Sequence, residues 1–159
     1  MTLVLVESRY ELSTMADDLL DFKNEDVERL EALLADRIYE FNAQAIDRFD
    51  ARSLGAAIRD ERGEIIAAIS GYTWARCCQI THLWVTAERR GHGLGRKLLA
   101  GAEAEAIGRG CQIIQLSTHS FQAPGFYDRI GYTRQAVVPD HPVGHASIFY
   151  AKILKGSGA

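Results

Sequence analysis

The chain of 159 residues is long enough for one domain with a single sizeable core. Hydrophobic residues make up 47% and charged residues 25%, which excludes an intrinsically disordered chain. The formal net charge of −3 argues against general nucleic-acid binding, because nucleic-acid-binding proteins usually carry a basic surplus.

The N-terminal segment lacks the basic start of a signal peptide, and no apolar run approaches the ~20 residues of a membrane helix. The three cysteines form an odd count, and the neighbours Cys77 and Cys78 should point to opposite faces of a strand. Both features disfavour a disulfide framework. We therefore expect a cytoplasmic protein with no membrane partner, whose cysteines are small buried residues in a reducing compartment.

The first predicted elements are a strand at residues 3–6 and a helix from about Asn24, a good N-cap followed by an acidic first turn. Near the end of this helix, Tyr39 and Glu40 are candidates to line a cleft. Apolar residues recur along the helix every three or four positions, which predicts one apolar face. They are Val27, Leu30, Leu34, Ile38 and Phe41.

Two strands, at 54–58 and 65–74, flank the turn signal at 60–64, and a further strand covers 78–86. A glycine-rich loop follows this third strand. After the loop, small and apolar residues recur every four positions and predict a helix from about residue 94 to 107.

A continuous apolar run at 111–118 predicts a strand covered on both faces. Pro124 in a first turn predicts a short helix to Ile130, and strands at 132–138 and 146–154 close the chain. These elements predict an α/β or α+β fold, with a central mixed sheet and helices on both faces. We expect one domain over residues 1–155 and a flexible tail at 156–159.

The glycine loop, residues 90–96, reads RGHGLGR. A strand, a glycine-rich turn and a helix in that order present free backbone N–H groups to an anion. Arg90, Arg96 and Lys97 add positive charge there. The loop is not a P-loop, because no Gly-Lys-Ser/Thr follows, and its G-x-G-x-G spacing does not match the dinucleotide fingerprint.

At this point the sequence resembles the GNAT superfamily of N-acetyltransferases. Arg90, Gly93 and Gly95 match its Gln/Arg-x-x-Gly-x-Gly/Ala motif. A second motif, Asn-x-x-Ala-x-x-Phe-Tyr-x-x-x-Gly-Phe/Tyr, is matched over residues 120–132, although Ser120 stands where Asn is commoner. The resemblance covers roughly residues 25–155. It implies a mostly antiparallel mixed sheet of six or seven strands, and a homodimer.

The resemblance also implies direct transfer of an acetyl group from the cosubstrate acetyl-CoA to a primary amine of a small molecule or peptide. A backbone N–H near Trp84 or Val85 would stabilise the oxyanion, and Tyr127 would be the general acid for the departing thiolate. The implied cofactor-binding residues are Leu83, Trp84, Val85, Arg90, Gly91, His92, Gly93, Leu94, Gly95, Arg96, Ser120, Phe126 and Tyr127.

The general base is less defined, because the positions at which family members carry Glu or His align with Gln79 and Thr81. Strand alternation predicts that the adjacent His82 faces the other side of the sheet. His119 and Glu40 are the remaining candidates for the base, and a relay of water molecules is the alternative to both.

The five histidines invite a metal hypothesis, but their spacing is not that of a ligand set and the family needs no metal. Two of them, His141 and His145, lie in a loop that could cover the acceptor pocket. Two alternatives to the enzyme stay open: a non-catalytic acyl-CoA-binding sensor module and a plain structural domain. The sequence does not identify the acceptor amine.

Overall fold

The computed structural model describes residues 26–155, which fall into two units, residues 26–48 and residues 49–155. The predicted strand at 3–6 and the predicted tail at 156–159 lie outside the described residues. A single domain over 1–155 stays a prediction. Within residues 26–155, no helix combines the length and the apolar character needed to cross a bilayer.

The first unit contains helix α1, Val27–Ile46. Its N-cap is Asp26, whose carboxylate accepts a hydrogen bond from the Arg29 N–H at 3.1 Å. This bond satisfies a free N–H of the first turn and places a negative charge at the positive end of the helix dipole. The helix was predicted, but its cap is Asp26 rather than Asn24.

The second unit contains one six-stranded sheet. Its strands are β1, Arg52–Arg59; β2, Ile65–Trp74; β3, Cys77–Val85; β4, Ile113–His119; β5, Thr133–Pro139; and β6, Ala146–Ile153. The order across the sheet is β1-β2-β3-β4-β6-β5, and every neighbouring pair is antiparallel except β3 and β4. The prediction of a mixed, mostly antiparallel sheet with helices is confirmed.

Two helices, α2 (Leu94–Gly108) and α3 (Pro124–Arg129), share one hydrophobic core with this sheet. Alternation along the strands supplies one side of the core, where Ile114 and Tyr150 are almost fully buried. From α2 come Leu98, Leu99, Ala102 and Ala106. The two alanines let the helix backbone lie close to the sheet.

Candidate functional site

Strands β3 and β4 are paired only where they begin. Their partners are Cys77 with Ile113, Cys78 with Ile114, and Gln79 with Gln115. Beyond these pairs, β3 continues its pairing with β2 and β4 continues its pairing with β6. The two parallel strands therefore separate, and a cleft of about 1280 Å³ opens between them. The edge of β3 that faces this cleft has backbone groups available for a ligand.

This cleft brings together most of the predicted site. Residues of β3, the glycine loop, α2, β4 and α3 form its walls. The predicted residues in the lining are Leu83, Trp84, Val85, Arg90, Gly91, Gly93, Leu94, Gly95, Arg96, His119, Phe126 and Tyr127.

The glycine loop enters α2 through a left-handed turn. Gly91 and Gly93 have φ of +80° and +79°, where a residue with a Cβ is strained, and Gly93 is the N-cap of α2. A Cβ at Gly95 would lie 3.6 Å from Phe126 Cζ, an ordinary contact. Packing within the protein therefore does not require this third glycine. Room for an anion remains the predicted reason for Gly95.

Four arginines line the cleft. Arg90 and Arg96 were predicted, whereas Arg89 and Arg129 were not. Arg89 comes from a 3₁₀ turn, Ala87–Arg89, and Arg129 comes from the end of α3. The Arg90 Nε donates to Val85 O at 3.2 Å, so its side chain folds back onto the end of β3. These charges add to the helix dipole and favour an anionic ligand.

Within residues 26–155, two predicted cofactor contacts lie outside the lining of the cleft. The ring of His92 is bonded through Nδ1 to Arg90 O, at 3.0 Å. The Ser120 Oγ accepts a hydrogen bond from the Ala146 N–H at 3.0 Å, and the Ser120 N–H donates to Ala146 O at 2.8 Å. Ser120 thus joins the end of β4 to β6.

The predicted acid Tyr127 lies on α3, in the wall of the cleft, with 9% of its surface exposed. Its ring packs against Phe126, Tyr150 and Tyr132, with centroid distances of 5.0, 5.4 and 6.0 Å. Burial, and then the neighbouring Tyr150, raise the pKa of Tyr127 above its ordinary value of 10.0. The hydroxyl therefore carries its proton at neutral pH, as a general acid must.

A β-bulge in β3 overturns the predicted orientation of His82. Gln79 pairs with Tyr72, and His82 pairs with Ser70. The step from Gln79 to His82 is three positions along β3, whereas the step from Tyr72 to Ser70 is two positions along β2. Tyr72 and Ser70 lie on one face of β2, so Gln79 and His82 share that face as well. The prediction that alternation sends His82 to the opposite face was wrong, because alternation assumes an uninterrupted register. His82 lines the cleft.

Gly71 makes this bulge possible. A Cβ at Gly71 would lie 2.1 Å from Gln79 O and 3.0 Å from Ile80 Cα, both backbone atoms of β3. A side chain cannot be accommodated there unless one of the two strands moves. In sequence, Gly71 looks like any glycine inside a strand, and only the partner strand reveals its purpose.

An aromatic cluster of histidines with Phe121 covers the end of β4. The His119 ring stacks on Phe121 with ring centroids 5.3 Å apart, and the rings of Phe121 and His145 make a T-shaped contact with centroids 4.8 Å apart. His141 lies 6.0 Å from His119. The His119 Nδ1 is buried without a hydrogen-bond partner among the described residues. Among residues 26–155, no group of three or more His, Cys, Asp or Glu side chains is arranged to hold a metal ion.

The predicted base Glu40 lies in the first unit, on α1. Its Oε2 is 3.6 Å from Arg37 Nη1, in an ion pair between side chains that are more than half exposed. A role for Glu40 in the chemistry stays a prediction.

Comparisons with known proteins agree with this fold. The model of the Acetyltransferase (GNAT) family matches residues 14–132. The blasticidin-S acetyltransferase of Streptomyces morookaense is 44% identical over 95 residues, which cover 59% of this chain and 70% of that protein. The crystal structure of an acetyltransferase from Bacillus cereus ATCC 14579 superposes with a TM-score of 0.72 at 29% identity, covering 86% of this chain and 98% of that one.

A more distant structure shares the fold alone. It is an aminoglycoside 6′-N-acetyltransferase complexed with coenzyme A, with a TM-score of 0.59 at 19% identity. The match covers 67% of this chain and 76% of that one.

Proposed function

We propose that this chain, which belongs to the Acetyltransferase (GNAT) family, transfers an acetyl group from acetyl-CoA directly to a primary amine. One observation carries the proposal. A single cleft is lined by the N-terminus of α2, the unpaired edge of β3 and Tyr127, whose raised pKa keeps its hydroxyl protonated. Acetyl transfer from a thioester needs each of these: an anchor, a donor for the oxyanion, and a proton for the leaving thiol.

The N-terminus of α2 is the proposed site of the coenzyme A pyrophosphate. The first N–H groups of the helix have no carbonyl partner within it, and the side chains of Arg90 and Arg96 lie nearby. A left-handed Gly93 at the N-cap leaves these groups uncovered. Arg89 and Arg129, which the sequence analysis missed, are further cations for the phosphates.

The edge of β3 between Leu83 and Val85 is proposed to pair with the pantetheine arm. Because β4 has diverged by this point, the arm can lie where a neighbouring strand would. A backbone N–H near Trp84 or Val85 would then face the thioester oxygen and stabilise the charge that develops there. Phe126 and Leu94 supply apolar contacts in the same wall.

Direct transfer is favoured because the cysteines are poor nucleophiles. Burial, and then the Cys111 and Cys77 thiols, raise the pKa of Cys78 to about 12. Burial also raises the pKa of Cys77 and Cys111. A thiol must lose its proton to attack a thioester, so these three side chains are unsuited to carry an acyl group.

The acceptor is proposed to be the amine of a small molecule or peptide, bound beside the cluster of His119, Phe121, His141 and His145. Phe121 is 54% exposed, and an exposed aromatic face suits a ring or a cationic amine. The name of the blasticidin-S acetyltransferase makes blasticidin S one acceptor to test. The predicted homodimer and cytoplasmic location belong to this proposal and need separate measurements of mass and localisation.

Release of the coenzyme A thiol tests the proposed function. Acetyl-CoA is incubated with the protein and with a panel containing blasticidin S, an aminoglycoside, a polyamine and a peptide with a free N-terminus. We expect thiol release that depends on at least one of these amines. Binding of acetyl-CoA, seen as a thermal shift, without such release would favour the sensor module. No thermal shift at all would favour a plain structural domain.

A further inference from the structure

The bulge in β3 places His82 in a small hydrogen-bonded network with Ser70 and Thr81. The Thr81 Oγ1 donates to Ser70 O at 3.1 Å. The Ser70 Oγ lies 3.2 Å from Thr81 Oγ1 and 3.2 Å from His82 Nδ1. These three contacts join the bulged residue Thr81, the imidazole that follows it and the strand β2 beside them.

Counting protons fixes the tautomer of His82 in this network. The only hydroxyl hydrogen of Thr81 points to Ser70 O, since a carbonyl can only accept. The contact between the two hydroxyls is then a hydrogen bond only if Ser70 donates to Thr81. With its own hydrogen used, the Ser70 Oγ must accept from His82 Nδ1. One arrangement alone makes all three contacts hydrogen bonds, and in the neutral ring it puts the imidazole proton on Nδ1 and leaves a lone pair on Nε2.

We propose that His82 Nε2 is the general base of the acetyl transfer, an assignment that rests on the proposed function. The amine nitrogen attacks the thioester carbon, so that a C–N bond forms and the C–S bond breaks. The amine proton passes to His82 Nε2, and the departing sulfur takes the proton of the Tyr127 hydroxyl. Exchange with water then returns the imidazolium and the tyrosinate to their starting forms.

His82 is better placed for this step than His119. Its ring is exposed in the wall of the cleft, and its Nδ1 has a partner that orients the other nitrogen. His119 is stacked on Phe121, and its Nδ1 is buried without a partner among the described residues. Other titratable or charged groups share the cleft or the sheet face with His82. They are Tyr72, on the same face of the sheet, and Arg89, Arg90, Arg96, His119, Tyr127 and Arg129, in the cleft.

The test compares the wild type with His82→Gln, its second variant His82→Asn, and the matched variant His119→Asn. The specificity constant kcat/KM for the amine is measured from pH 5 to 9, and the ratio of wild type to each variant cancels the ionisation of the amine. We expect His82→Gln to lower kcat/KM about 10²-fold at neutral pH, with the acetyl-CoA thermal shift kept. The ratio should fall towards one at low pH, because a protonated imidazole cannot accept a proton.

The role of Ser70 provides a second readout. Ser70→Ala removes the group that orients the ring, so we expect a smaller loss of kcat/KM than in His82→Gln and an intact fold.

Equal kcat/KM in wild type, His82→Gln and His82→Asn at every pH would overturn the assignment, as would a pH-dependent ratio found only for His119→Asn. A wild type without amine-dependent thiol release would overturn the proposed function, and this assignment with it. An active wild type with fully active His82 variants would overturn the assignment alone.

Discussion

Two irregular stretches of backbone border the cleft, and each depends on glycine for a different reason. In the glycine loop, Gly91 and Gly93 have positive φ, and a Cβ on either would meet nothing within 4 Å. In the bulge of β3, Gly71 is needed because a Cβ would lie 2.1 Å from Gln79 O. The first requirement is conformational and local, whereas the second is steric and comes from a neighbouring strand.

The two stretches also differ in their proposed tasks. The loop presents N–H groups and arginines to the cofactor, whereas the bulge turns His82 towards the acceptor. A substitution in the loop should therefore change cofactor affinity, and a substitution at the bulge should change stability and the chemical step. Four predictions test this account, beginning with Tyr127, which lines the same cleft.

The largest effect is expected for Tyr127→Phe, which removes the proton donor and keeps the ring. The rate of amine-dependent thiol release should fall by roughly 10²–10⁴-fold, while the affinity for acetyl-CoA changes little. The control is Tyr132→Phe, which removes a hydroxyl that donates a hydrogen bond to Glu103 Oε1 at 3.0 Å. This variant should be less stable than the wild type but should keep its rate at saturating substrate concentrations. Unchanged turnover in Tyr127→Phe would remove this tyrosine from the mechanism.

The next effect is expected for Arg96→Gln, in the first turn of α2. Loss of a charged hydrogen bond to phosphate costs about 1.5–3 kcal/mol, so the Kd for acetyl-CoA should rise at least about tenfold. The rate at saturating cofactor should stay near that of the wild type. Titration calorimetry measures the affinity, and Arg62→Gln, in the turn between β1 and β2, is the control. Equal affinities for both variants would contradict an anion site at α2.

A pair of glycine substitutions tests the steric explanation of the bulge. Gly71→Ala should destabilise the fold by about 1–3 kcal/mol, because backbone atoms of β3 occupy the place of the new methyl group. Gly101→Ala, in the middle of α2 with open space around it, should stabilise the fold by about 0.4–1 kcal/mol. Urea unfolding measures both. A Gly71→Ala variant as stable as the wild type would show that the bulge does not need this glycine.

The smallest effect is expected for Asp128→Asn, on the solvent side of the aromatic packing around Tyr127. The hydrogen bond from Arg134 holds the pKa of Asp128 below its ordinary value of 3.8. Because the pKa of Asp128 is lower in the folded than in the unfolded protein, its ionised carboxylate stabilises the fold at neutral pH. This stabilisation is lost as the pH falls through the pKa of the folded protein. The melting temperature of the wild type should therefore exceed that of the variant at pH 7, and the gap should close in acid. Because the pair is partly exposed, the gap should be small.

Local patterns in the sequence were sufficient for most of the fold and for the glycine loop at the start of α2. The glycine loop is recognisable because its three glycines and two arginines lie within seven residues. Contacts between distant segments account for the errors. Arg129 reaches the cleft only through the placement of α3. The orientation of His82 depends on a bulge whose cause, Gly71, lies in another strand.

Transfer of an isotope-labelled acetyl group tests the central claim most directly. The protein is incubated with acetyl-CoA labelled in the acetyl group and with an amine that supports thiol release, and both protein and amine are analysed by mass spectrometry. Direct transfer predicts that the label appears on the amine while the mass of the protein is unchanged throughout turnover. Label accumulating on the protein, or appearing only as free acetate while thiol is released, would contradict it.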